Sequence, residues 1–179
     1  MKMVDRVVVD ASVAIAYLQD EVGTPAARAA FAAWAASAAE LLVPAHFWIE
    51  VTHVLLARRR LPPDELTANL VDVDGLGIRT IETDRPLLLL AIDRMVRARL
   101  SAYDAVYLAL AMATDSRLAT LDRQLAAAAG DAGMLIGPSG ISEPRPDYQP
   151  DDDSYAGWTH TAVVGAHIAE LRRRSQAET

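Results

Sequence analysis

Apolar runs and polar breaks alternate along the first 136 residues in a regular beat. Val7, Val8 and Val9 stand side by side, and the run ends on Asp10. A short, unbroken β-branched run reads as a strand covered on both faces, so residues 3–9 are predicted as the first strand. Helical patterning follows at 11–18 and, rich in alanine with Pro25 near the first turn, at 24–39. Residues 41–43 form a second brief strand, and Pro44 opens a strongly apolar helix that runs to Arg58–Arg60. Leu61-Pro62-Pro63 breaks it, and Asp64 starts a helix that stops near Gly75 and Gly77. Strand 78–81, helix 86–99, helix 102–113 capped by Ser101, strand 117–121, helix 122–129 and strand 133–136 complete the series.

Strands alternating with helices of this length predict an α/β fold: a twisted, mainly parallel sheet with helices on both faces. In such sheets the carboxyl ends of the strands face the ligand crevice. Asp10 and Asp122 both stand at strand ends. Residues 1–137 are read as one domain and 138–179 as an extension. Within it, a linker rich in Pro, Gly, Asp and Ser spans 137–157, and 160–174 has the pattern of a short helix.

Composition narrows the chemistry. The chain has 179 residues and no cysteine, which excludes disulfides, thiolate metal sites and cysteine nucleophiles and suits a reducing cytoplasm. Glu40, Pro44, His46, Glu50 and His53 interrupt the most apolar stretch, so no membrane span is expected. The net charge of −7 argues against a nucleic-acid binder. Yet the positive charge is mostly arginine in clusters, Arg58–Arg60, Arg94–Arg99 and Arg172–Arg174, and such clusters can grip phosphates while the rest of the surface stays acidic.

Four acids carry the site, each with a bland alternative. Asp10 and Asp122 can serve as N-caps of the helices that follow them, and Ser101 with Asp104 matches a variant capping box. Glu50 differs, because it lies inside HFWIEVTHVLL, too apolar for a solvated face, and a buried carboxylate needs compensation; its bland alternative is an exposed position on a narrow polar stripe with His46 and His53. Oxygen-only ligands select Mg²⁺ or Mn²⁺, ions that activate water and hold a scissile phosphate. His46, Glu50 and His53 share a helix face and include one Glu-x-x-His element. The second such element that a di-iron bundle needs is absent, so both histidines are read as polar residues on a helix edge.

The segments VVVDASVAIAYL, LLVPAHFWIEVTHVLLARR and LSAYDAVYLALAMATDSRLATLDRQLAAAA, in that order, resemble PIN domains, most closely the VapC-like toxins of toxin–antitoxin pairs. The resemblance covers residues 4–136. It implies a metal-dependent endoribonuclease with Asp10, Glu50 and Asp104 as metal-site acids and Asp122 acting through water. Ser12 and Thr120 would be supporting hydroxyls near metal-bound water or phosphate. It further implies an RNA substrate, a cognate antitoxin and a homodimer. A haloacid-dehalogenase-like phosphatase would need an aspartate where Ser12 stands. A catalytically idle PIN scaffold that binds a protein partner is the remaining alternative.

Overall fold

The computed structural model describes residues 5–19 and 24–137. The predicted linker beyond Gly137 and the helix at 160–174 lie outside the described residues. Five strands form one parallel sheet in the order β3-β2-β1-β4-β5: β1 Arg6–Val9, β2 Glu40–Pro44, β3 Arg79–Ile81, β4 Arg117–Thr120 and β5 Gly133–Leu135. The α/β expectation holds, and every described pairing is parallel. Val7, Val8 and Val9 are all fully buried. Successive strand residues point to opposite faces, so the sheet is covered on both.

The helices are α1 Ala11–Leu18, α2 Thr24–Ser37, α3 Phe47–His53, α4 Pro63–Asp74, α5 Arg85–Ala98, α6 Ala102–Ala113 and α7 Arg123–Ala129. α6 is the central one. It packs on α5 and on β1, β2 and β4, and Ala105 through Ala111 are all buried. A helix apolar on all sides belongs in a core, and burying a side chain the size of Leu108 or Leu110 contributes about 1.5–3 kcal/mol.

One helix start differs from expectation. Pro44 ends β2, with its Cα paired to Ile81 of β3, and α3 begins only at Phe47. Pro lacks an N–H, but a strand end needs no further donor there. The predicted long helix also changes register, because Val54–Arg58 after α3 is a π-helical turn.

At the amino edge Arg6 and Arg79 both bind Glu40, at 2.8 and 2.7 Å, and Arg117 binds Asp5. Beyond β4, α7 lies so close to β5 that a Cβ at Gly133 would come within 2.1 Å of the Ala126 carbonyl oxygen. Only glycine fits that approach.

Candidate active site

β1 is the strand at which the sheet order reverses, since β2 follows on one side and β4 on the other. A crevice opens at the carboxyl ends of strands at such a switch point. Asp10 stands there, directly after β1, with its backbone N–H donating to the Ala119 carbonyl at 2.9 Å. It occupies the N-cap position of α1, yet its side chain makes no capping hydrogen bond. The bland reading of Asp10 therefore fails: its carboxylate is turned to other partners.

Those partners are hydroxyls. Ser12 Oγ and Thr120 Oγ1 donate to the same Asp10 oxygen, Oδ2, at 2.5 and 2.7 Å. Each hydroxyl oxygen also accepts a backbone N–H, Ser12 from Leu121 at 3.1 Å and Thr120 from Asp122 at 2.9 Å. The ends of β1 and β4 are thereby tied together through one carboxylate oxygen. Burial pushes the Asp10 carboxyl up from its ordinary 3.8 to about 6; the two hydroxyls pull it down, and the charges of Asp104 and Asp122 push it further up.

Glu50 projects from α3. The buried Tyr107 hydroxyl of α6 donates to Glu50 Oε2 at 2.6 Å. Burial is the main reason the Glu50 carboxyl rises from 4.5 to about 7; the Tyr107 bond opposes the rise, while Asp10 and Asp104 add to it. Burial likewise drives the Tyr107 hydroxyl well above its usual 10, with the Asp10 and Glu50 charges adding to the effect, so it stays a donor. His46 Nε2 lies 3.7 Å from the same Glu50 oxygen. That spacing falls within ion-pair range, but burial lowers the imidazole to about 4, so the ring is neutral and no ion pair forms near neutral pH.

Asp104 and Asp122 keep their capping roles as well. Ser101 Oγ accepts the Asp104 N–H at 3.2 Å and donates to Asp104 Oδ2 at 2.5 Å. Asp122 Oδ1 accepts the Leu125 N–H at 2.8 Å, starting α7. Asp122 thus caps α7 with its own carboxylate, whereas at α6 the cap is Ser101 and the Asp104 carboxylate accepts the Ser101 hydroxyl. Asp10 is the hub of the four: Asp104, Asp122 and Glu50 all interact with it electrostatically. Among the described residues, the groups that shift Asp10 and Glu50 are carboxyls and hydroxyls.

The donor chemistry suits a hard divalent cation, being all oxygen, without cysteine and charged alike. As arranged, the carboxyls turn to hydroxyl and backbone donors, and among the described residues no three His, Asp or Glu side chains close tightly enough to hold a metal ion.

Two residues near the acids were not assigned their part from sequence. His46 is no helix-edge residue: its side chain is 15% exposed, and its ring stands edge-on to Tyr107 at 4.9 Å. Tyr107 holds Glu50. The signal for it was present, because a tyrosine inside an otherwise apolar helix must find a partner for its hydroxyl. Of the arginines at 94–99, Arg94 and Arg97 are bound to Asp93. Arg99 and Arg123 are exposed and held in no ion pair with a described acid.

A parallel α/β sheet with Asp10 buried at its switch point, and with Glu50, Asp104 and Asp122 acting on it electrostatically, is the class of arrangement the fold and site define. The PIN domain family model matches residues 7–131, and the chain belongs to that family. Among solved structures it is similar to the sarcin–ricin loop cleaving toxin VapC20 of Mycobacterium tuberculosis. The identity is 20%, over 74% of this chain and 99% of that one, with a TM-score of 0.58. PAE2754 of Pyrobaculum aerophilum is similar at 24% identity, over 73% of this chain and 89% of that one, with a TM-score of 0.54. At these identities the likeness is one of fold. No curated protein matches the sequence, and no helix among the described residues is long and apolar enough to cross a membrane.

Proposed function

We propose that the chain is a divalent-cation-dependent endoribonuclease and the toxin of a toxin–antitoxin pair. The observation that carries the reading is Asp10: buried at the switch point, it is pressed by the charges of Asp104 and Asp122 and itself presses on Glu50. Family membership supports a nuclease. The fold of a toxin that cleaves the sarcin–ricin loop supports RNA as substrate and an antitoxin as partner. A homodimer is part of the same reading, as is a cytoplasmic place of action.

Asp10, Glu50 and Asp104 would hold Mg²⁺ or Mn²⁺, with Asp122 acting through water. Bound there, the ion would supply Lewis-acid help to the scissile phosphate and lower the pKa of a water. The chain's own residues do the rest. Ser12 and Thr120 fix Asp10 Oδ2 and so set which way the carboxyl faces. Tyr107 fixes Glu50 Oε2 in the same manner. Burial raises the Glu50 carboxyl to about 7 in the ion-free protein, so proton and cation compete for it near neutral pH. Arg99 precedes the Ser101 cap by two residues and Arg123 follows Asp122 directly. The Gln124 side-chain amide donates to the Arg99 carbonyl at 3.1 Å, which ties the start of α7 to the end of α5. Exposed and in no ion pair with a described acid, they are the groups proposed to bind backbone phosphates.

RNA cleavage under Mn²⁺ titration, comparing wild type with Asp104→Asn, tests the reading. Cleavage should need the ion and fall by orders of magnitude in the folded variant. Undiminished cleavage by folded Asp104→Asn protein refutes it.

A further inference from the structure

Tyr103 lies beside Asp104 in the first turn of α6 and is 60% exposed, although its ring is large and mostly apolar. Its surroundings are ordered in a column. The Tyr103 ring is tilted against the His46 ring at 5.5 Å, and His46 stands edge-on to Tyr107 at 4.9 Å. Tyr107 binds Glu50 at 2.6 Å. The outer end of this column is a ring open to solvent, and its inner end is a carboxylate of the site.

We infer that Tyr103 is a stacking platform for a nucleobase of single-stranded RNA, seated next to the phosphate that enters the acidic crevice; this rests on the nuclease reading above. Unpaired bases stack on exposed aromatic rings, and such stacking tolerates any base because each has a π-face. A ring already backed by His46 loses little freedom when a base covers it. Ile49, 70% exposed on α3, offers apolar surface but no ring, so Tyr103 alone on this side presents an exposed aromatic face among the described residues.

The probe is a short single-stranded RNA carrying 2-aminopurine, bound in EDTA so that no cleavage accompanies binding. Stacking should quench its fluorescence with wild type and with Tyr103→Phe, which keeps the ring. Tyr103→Ala should lose the quench and about 5- to 150-fold in affinity, and it should unfold at the wild-type temperature because the side chain is mostly outside the core. With Mn²⁺ present, the same variant should raise KM far more than it lowers kcat. If wild type cleaves RNA while Tyr103→Ala binds and quenches as wild type does, the platform is refuted and the nuclease reading survives. A wild type that neither binds nor cleaves RNA overturns both.

Discussion

Replacing Asp10 by Asn should make the metal-free protein more stable while abolishing its activity. Burial and neighbouring charge raise the Asp10 carboxyl from 3.8 to about 6. At about 1.4 kcal/mol for each pH unit, holding the ionised form in the fold costs about 3 kcal/mol. The sign follows from proton binding. Between 3.8 and about 6 the folded chain binds this proton more tightly than the unfolded one, so stability falls as pH rises through that window. The cost is fully present above about 6. Asn keeps the size, and its amide oxygen can accept from Ser12 and Thr120 as Oδ2 does. An imperfect hydrogen-bond fit returns about 1 kcal/mol of the gain. About 2 kcal/mol remains, or roughly 4–8 °C in melting temperature for a domain of this size. Thermal unfolding in EDTA at pH 8 measures it, and repetition at pH 4 should show the advantage shrinking toward nothing. Mn²⁺ should close the gap by stabilising wild type alone. A variant that melts at or below wild type in EDTA at pH 8 would show that Asp10 carries no such cost, and the case for a strained acidic hub would fall.

Three other outcomes follow from the same geometry. Tyr107→Phe removes the 2.6 Å donor to Glu50 at nearly constant volume; it should cost about 1–2 kcal/mol of stability and about tenfold in kcat, and unchanged turnover in a folded variant would refute the positioning role. Arg99→Ala with Arg123→Ala should weaken binding to single-stranded RNA and lower its slope against log salt by about 1.4, whereas Arg97→Ala, its guanidinium already on Asp93, should leave that slope alone. Cleavage should rise as pH passes from about 6 to about 7, where Asp10 and Glu50 lose their protons. More Mn²⁺ should move that rise to lower pH, because ion and proton compete for the same oxygens; a rise indifferent to the ion would separate the titrating groups from the metal site.

The strands were legible because burial on both faces leaves no polar residue in a short run, as at Val7–Val9 and Leu41–Val43. Strand ends were legible for the opposite reason, since Asp10 and Asp122 interrupt apolar runs where the crevice lies. The start of α3 was misplaced because Pro44 suits both a helix start and the last residue of a strand, and only the pairing with Ile81 decides between them. Sequence placed Glu50 in an apolar helix but could not show what compensates its burial. That answer comes from Tyr107, fifty-seven positions away. His46 was misjudged because spacing along one helix says nothing of a neighbouring helix: the rings of Tyr103 and Tyr107 cover it from α6.

The close approach at Gly133 bears on how variants of this protein are to be interpreted. A single methyl there would meet the Ala126 carbonyl and push α7 outward. The first turn of α7 is held by Asp122, so the displacement would be felt by an acid at the far end of the helix. A screen that scores activity alone would place Gly133 among the catalytic positions. Scored by melting temperature as well, it separates from them: substitution at Gly133 lowers stability and activity together, whereas Asp10→Asn drives the two in opposite directions.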